Sequence, residues 1–241
     1  MTHADRDDRT VTPDVPSVEQ PTLAEDLLLL LFQPDSSTVA GENTLYYALA
    51  GAVVADLALQ ERVTSTSTKP TWARVEAVAD AAPNDPLLLT AWEYVATKPR
   101  NVQTVLAAVG PPLREPLMKR LIARGDLVER DHRVLGMFPT TKLFEGGTGR
   151  REALLAGVRE VLVDGSEPEP RVAALGALLY ASGALPQMHR EIPWTSAVIT
   201  RAEELKRGNW GAGAAAQAIA RTIASIVASN VFVATNILPD S

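Results

Sequence analysis

Cysteine is absent from this sequence of 241 residues, aromatic residues make up only 5% of it, and no apolar run is long. Without cysteine, the chain forms no disulfide bond and offers no thiolate to a metal or a substrate. With few aromatic side chains, the core has to be built mostly from leucine, alanine and valine, which favours closely packed helices. The longest apolar stretch, residues 45–59, contains Asp56 and is too short to span a bilayer. These absences predict a mainly helical protein that does not cross a membrane.

Positive charge is also in short supply, with 23 Lys and Arg against 29 Asp and Glu and a net charge of −6. An acidic chain binds nucleic acid and anionic lipid surfaces poorly unless its basic residues are clustered, so no nucleic-acid partner is expected. Any site for an anion has to be a local group of arginines or lysines. Arginine exceeds lysine and alanine is abundant, a composition typical of a GC-rich bacterial genome.

The first 20 residues are polar and carry Pro13 and Pro16, without the apolar segment of a signal peptide. They show no periodic apolar face, which is typical of a disordered segment. We therefore expect residues 1–20 to be a disordered tail, residues 21–241 to form one domain, and the protein to be cytoplasmic.

Helical signals follow one another along the rest of the chain. Thr22 and Glu25 have the spacing of a capping box, and the apolar residues 27–32 predict a short buried helix. Asp56, inside the next helical segment, is expected at an exposed edge or as the cap of another element. Further helices are predicted at about 44–60, 84–97, 102–109, 113–124, 150–163, 171–182, 185–189, 195–207 and 212–231.

Two short stretches have the pattern of β-structure. Residues 62–68 are expected to form a strand that pairs with 72–78, and residues 126–138 a β-hairpin that turns at Asp131 and His132. The predicted fold class is therefore mainly α: a single compact helical domain around a central helical core, with a short β-hairpin.

No catalytic constellation is visible in the sequence. The three histidines, His3, His132 and His189, have no second ligand at metal-binding spacing. There is no Gly-x-Ser-x-Gly nucleophile motif. The adjacent Glu203 and Glu204 lie among basic residues of an amphipathic segment, which is typical of surface salt bridges. We therefore expect no catalytic residue, no metal, no cofactor and no enzymatic activity.

A glycine-rich loop, residues 146–149, precedes a predicted helix that begins with Arg150 and Arg151. Glycines before a helix can direct backbone amides at a phosphate, and the two arginines would add positive charge. The loop lacks the Gly-Lys-Ser/Thr ending of a nucleotide-binding loop. It is either an anion site or a flexible connection into an exposed helix.

Basic residues are also grouped on the predicted helix 113–124 and on the hairpin after it. The group consists of Arg114, Lys119, Arg120, Arg124, Arg130, His132 and Arg133. Arg120 and Arg124 share a helix face. A helix followed by a basic hairpin also describes a winged-helix DNA-binding module, and the alternative is a solvated surface. The apolar arm of the hairpin, residues 134–138, either reaches a lipid interface or a partner subunit, or covers the core.

Several segments, taken in order, resemble the Golgi phosphoprotein 3 family. The segments that carry the resemblance are 23–31, 47–52, 56–62, 85–88, 113–115, 121–127 and 171–180. The resemblance implies a compact, mostly helical, noncatalytic domain that binds the head group of phosphatidylinositol 4-phosphate at a membrane surface. It also implies a possible homo-oligomer through the hairpin 126–138. Eukaryotic members of the family act as adaptors that retain glycosyltransferases in the Golgi.

The head-group site that the resemblance implies can be compared with this sequence one residue at a time. Arg114 matches one arginine of the family pattern, whereas Pro111 and Ala50 stand at two other arginine positions and Gly41 at the aromatic position. Candidates to contribute instead are Trp72, Arg74 and Arg124.

The leading hypothesis is a noncatalytic adaptor, peripheral at the cytoplasmic face of a membrane, that binds an anionic phospholipid or phosphoinositide. Two alternatives stay open at this point. One is a protein-interaction scaffold without a lipid site, and the other is a winged-helix-like DNA-binding regulator.

Overall fold

Helices dominate the residues that the structure, a computed structural model, describes: 20–66, 72–134, 138–210 and 214–237. Nine α-helices lie in this part of the chain, which confirms the prediction of a mainly α fold. They are α1 (Leu23–Leu31), α2 (Leu45–Leu59), α3 (Pro86–Ala96), α4 (Val102–Val109), α5 (Arg114–Ala123), α6 (Arg150–Leu162), α7 (Pro170–Ala181), α8 (Ser196–Lys206) and α9 (Ala214–Ile237). The last helix continues six residues beyond the predicted end at 231.

The strands form small antiparallel sheets. They are β1 (Phe32–Gln33) with β2 (Thr38–Val39), then β3 (Val63–Ser65), β4 (Arg74–Ala77) and β5 (Arg100–Asn101) in that order, and β6 (Leu127–Val134) with β7 (Phe138–Glu145). The predicted pairing of 62–68 with 72–78 is confirmed for the described residues, since Val63 lies opposite Ala77 and Ser65 opposite Val75.

The centre of the fold is α1 against α2. Every residue of α1 is buried, and its first turn carries the predicted capping box: Glu25 N–H donates to the Thr22 hydroxyl, and the Glu25 carboxylate accepts from Thr22 N–H. Helix α2 is buried along most of its length and packs against α1, α4, α7 and α9. Its small residues, including Ala48, Gly51 and Ala55, allow these neighbouring helices to approach closely.

The predicted hairpin needs a correction. Strand β6 continues through Asp131 and His132, which lie opposite Thr141 and Thr140, and the hairpin extends to Glu145. The turn predicted at Asp131 and His132 is therefore wrong. Residues 135–137, most of the predicted apolar arm, lie outside the described residues. A run of charged residues resembles a turn in sequence, but in the two-stranded ribbon the side chains of Glu129, Arg130 and Asp131 are exposed to water. Charged side chains on an exposed strand cost little free energy, because they stay hydrated.

The remaining boundaries agree closely with the sequence patterns. Helix α4 has the predicted bounds, and α5 and α7 each begin one residue from the predicted start. Most of the predicted tail, residues 1–19, lies outside the described residues. Among the helices that the structure describes, none combines the length and the apolar character needed to cross a membrane.

Candidate functional site

Arg114 is the first residue of α5, and its side chain is exposed to solvent. One terminal nitrogen, Nη2, lies 2.9 Å from Oε1 of Glu42, and each of the two side chains is 55% exposed. Glu42 begins a one-turn 3-10 helix directly after Gly41. The structure therefore brings together two positions of the family pattern, 114 and 41, that are far apart in the sequence.

Gly41 adopts a left-handed backbone conformation with φ of 71°, which glycine takes without strain. Its carbonyl oxygen accepts hydrogen bonds from the N–H and the hydroxyl of Thr44. The Thr44 hydroxyl also lies 3.2 Å from the carbonyl of Ser182, which joins this loop to the end of α7. A cavity of about 320 Å³ opens here, lined by Val39, Gly41, Glu42, Asn43, Thr44, Ser182, Gly183 and Gln187.

The two positions that lack an arginine differ in their surroundings. Ala50 is fully buried in α2, where its methyl group belongs to the apolar core. Pro111 is exposed and lies in the same surface depression as Arg114. We call this depression, between α5 and the hairpin, the α5 groove. Its volume is about 510 Å³, and it is lined by Pro111, Pro112, Arg114, Glu115, Met118, Lys119, Ile122, Glu129 and Leu143.

Arg120 and Arg124 share a face of α5 as predicted, and this face contacts a buried carboxylate. Glu25 is fully buried, with its Oε1 2.9 Å from Nε of Arg124 and its Oε2 3.5 Å from Nη1 of Arg120. Arg120 also makes two hydrogen bonds to Asp85, the residue that caps α3. The candidate residue Arg124 is thus held by α1, one helix length away from Arg114.

The arginines after the glycine-rich loop are likewise paired with carboxylates. Arg150 contacts Asp126 and lies 2.5 Å from Oδ1 of Asp26. Arg151 is buried and donates to Glu191 across 2.7 Å. Of the two interpretations of residues 146–149, these contacts supply a structural reason for both arginines that requires no bound anion.

Asp26 and Asp56 belong to the same network of buried ion pairs near α1. Arg171 of α7 lies 2.5 Å from Oδ2 of Asp26 and 3.6 Å from Oδ1 of Asp56. Asp56 is buried, and its Oδ2 accepts a 2.7 Å hydrogen bond from Leu23 N–H at the start of α1. Of the two expectations for Asp56, the cap of another element is confirmed. Burial is the largest influence on this carboxyl and raises its pKa, although the Leu23 hydrogen bond and Arg171 oppose the shift.

A second cavity, of about 530 Å³, lies where α1, α3 and α7 begin and α2 ends. Its charged lining residues are Asp56, Asp85, Glu169, Arg62 and Arg171. Acidic and basic side chains are mixed there, so the cavity has no strong preference for an ion of either sign. No local pattern in the sequence predicts this cavity, because its lining comes from the ends of helices that are distant in the chain.

Arg74 lies in β4 of the three-stranded sheet, and Trp72 lies two residues before that strand. Trp72 is 74% exposed, and Arg74 is an exposed residue of β4 that pairs in register with Asn101. Ala73 between them is fully buried. Of the four candidate residues, the structure therefore leaves Arg114, Trp72 and Arg74 at the surface, whereas Arg124 is paired with Glu25.

Comparison with known protein families identifies a match over most of the chain. The family model described as Golgi phosphoprotein 3 (GPP34) matches residues 23–222, which include α1 through α8 and the first turns of α9. No curated protein sequence matches the chain.

Proposed function

Because this chain belongs to the Golgi phosphoprotein 3 (GPP34) family, we propose that it is a noncatalytic peripheral membrane adaptor that binds an anionic phospholipid through Arg114. Phosphatidylinositol 4-phosphate is the lipid that the resemblance favours. The binding is expected at the cytoplasmic face of a membrane, with residues 21–241 acting as one domain.

The observation that carries the proposal is the exposure of Arg114. A guanidinium group can make two parallel charge-assisted hydrogen bonds to a phosphate, which suits it to head-group recognition. Arg114 is also the first residue of α5, where the helix dipole favours an anion. Among the described residues, Arg114 forms an ion pair with Glu42, and an exposed ion pair is easily exchanged for another anion.

The missing arginines at positions 50 and 111 limit the strength of a single site. One guanidinium supplies only part of the charge that several would, and the net charge of −6 opposes approach to an anionic surface. Binding then depends on further contacts with the membrane. Trp72 is suited to such a contact because an exposed indole favours the membrane interface, and Arg74 lies two residues away.

The experiment that tests the proposal is co-sedimentation with vesicles. Neutral vesicles are compared with vesicles that contain phosphatidylinositol, its 4-phosphate or another anionic lipid. The Arg114→Ala variant is run beside Arg190→Ala, a matched control because Arg190 is an exposed arginine paired with Asp35. Loss of binding in Arg114→Ala alone supports the site. Equal binding by both variants, or no binding to any vesicle, contradicts the proposal.

A second candidate function is a protein-interaction scaffold that self-associates through the hairpin. The observation that favours it is the two-stranded ribbon of β6 and β7, with exposed residues Glu129, Arg130 and Asp131. An isolated two-stranded ribbon is only marginally stable in water and has unpaired edges that another chain can cover. Light scattering of the full chain tests it. A mass that stays at 25.8 kDa at every concentration contradicts self-association.

A further inference from the structure

The α5 groove combines a positive charge at one end with an apolar row that leads away from it. Arg114, Met118 and Ile122 are spaced by four residues and therefore lie on one face of α5. From the first to the third of them the helix rises by about 12 Å. Leu143 of β7 faces the same groove from the hairpin.

This apolar row is additional to the one that builds the core. Leu117 and Leu121 of α5 are fully buried, and they already anchor the helix in the interior. Met118, Ile122 and Leu143 are only partly buried, with one side against the core and another toward the groove. Met118 and Ile122 therefore contribute to core packing and also present apolar surface to the groove.

Charges along the groove leave one exposed cation at its end, Arg114, whose ion-pair partner Glu42 is itself exposed. Lys119 and Glu115 neutralise each other, with 2.6 Å between Nζ and Oε1. Glu129 lies opposite Leu143 in the hairpin register, so the hairpin wall carries a negative charge. An anionic group in the groove is repelled by that wall and attracted to Arg114.

We propose that the α5 groove binds one acyl chain of the anionic lipid whose phosphate Arg114 holds, a proposal that rests on the proposed function. A cation followed by an apolar channel matches a single-chain amphiphile with an anionic head group. Met118 suits such a ligand, because its unbranched, flexible side chain adapts to chains of different shape. The ligand is then the whole lipid, and the affinity depends on its chain as well as on its head group.

The test uses monoalkyl phosphates from butyl to dodecyl, kept below the concentration at which they form micelles, and isothermal calorimetry with the full chain. Each methylene buried in the groove is expected to raise the affinity roughly fourfold, which corresponds to about 0.8 kcal/mol. The gain should stop once the groove is full. Met118→Gln and Leu143→Gln, from opposite walls, should flatten the dependence on chain length. Arg114→Ala should weaken binding of all chain lengths by a similar factor.

Val163→Thr is the matched control, because Val163 is a partly exposed apolar residue on another element. Its affinities should follow those of the unaltered protein. A flat chain-length series together with vesicle binding that needs Arg114 overturns the acyl-chain proposal and leaves the proposed function intact. Failure of both the alkyl phosphates and the vesicles to bind overturns both. Dimerisation that Met118→Gln abolishes would assign the groove to a second copy of the chain, and this also overturns the acyl-chain proposal.

Discussion

Arg114 and Glu42 form an ion pair at the protein surface, with 2.9 Å between Nη2 of the arginine and Oε1 of the glutamate. Both side chains are more than half exposed, so the pair contributes little to the stability of the fold. The same geometry places a carboxylate where a phosphate would contact Arg114. In the proposed lipid site, Glu42 would therefore compete with the phosphate for Arg114.

Glu42→Gln should strengthen binding to anionic vesicles. Loss of the negative charge frees the Arg114 guanidinium and removes repulsion of the lipid phosphate, which together are worth about 1 kcal/mol, or roughly fivefold in affinity. Vesicle co-sedimentation measures the change. Glu115→Gln is the control, since it removes an equally exposed carboxylate whose partner is Lys119. Unchanged or weaker binding by Glu42→Gln would show that this carboxylate does not compete.

The sequence was sufficient to place Arg120 and Arg124 on one face of α5, because residues four apart share a helix face. It was not sufficient to show what that face contacts. Glu25 precedes Arg124 by 99 residues, and their contact depends on how α1 packs against α5. No local pattern encodes such packing, so the sequence alone predicts both arginines as surface or head-group residues.

The candidate site was predictable to a similar extent. Arg114 was proposed from the ordered match of several segments, whereas its partner Glu42 lies in a one-turn 3-10 helix that has no periodic signal. The capping box at Thr22 was recognised because all of its contacts are local. The hairpin turn was placed wrongly because the charges around Asp131 resemble a turn, and only the pairing with β7 shows a continuous strand.

Glu25→Gln should destabilise the fold severely. Glu25 is fully buried, and its carboxylate is bound by Arg124 and by the N–H and hydroxyl of Thr22. Removal of one member of a buried ion pair leaves a charge without compensation, at a cost of about 3–5 kcal/mol. Urea denaturation at neutral pH measures the free energy of unfolding. The exposed substitution Glu115→Gln should leave the free energy of unfolding nearly unchanged, and a similarly small change for Glu25→Gln would contradict the internal role of the pair.

Arg124→Gln separates a stabilising role from a head-group role. Its guanidinium pairs with buried Glu25, so we expect the free energy of unfolding to fall by about 3 kcal/mol. Binding to anionic vesicles, normalised to the folded fraction, should stay as in the unaltered protein. Arg114→Gln should give the opposite result, with stability retained and binding lost. A binding loss in Arg124→Gln that exceeds its unfolded fraction would assign Arg124 to the lipid site after all.

Asp85→Asn should remove part of the sensitivity of the fold to acid. Burial is the largest single influence on Asp85 and favours a higher pKa, but the hydrogen bonds from Arg120, Leu88 and Leu87 outweigh it, and the pKa is lowered. The carboxylate therefore stabilises the fold fully above its unfolded pKa, and this contribution is lost as the pH falls through the folded pKa. The Tm difference from the unaltered protein should correspond to about 2 kcal/mol at neutral pH and shrink below about pH 4.

Asp35→Asn is the control for this experiment, because Asp35 is exposed and pairs with the exposed Arg190. Its Tm should stay close to that of the unaltered protein at every pH. A Tm difference for Asp85→Asn that is independent of pH would mean that the lost interaction is not that of the charged carboxylate.

Gly110→Ala should destabilise the protein because there is no room for a methyl group where α4 ends. A Cβ atom at this position would lie 2.4 Å from the carbonyl oxygen of Tyr46 and 2.9 Å from that of Leu106. Both atoms belong to the backbone, so α4 would have to move away from α2, at a cost of about 1–3 kcal/mol. Because α5 begins only four residues later, Arg114 should shift as well, and vesicle binding should weaken.

Gly147→Ala is the matched control, since a Cβ there would meet open space. Equal free energies of unfolding for the two variants in urea would contradict the close contact between α4 and α2.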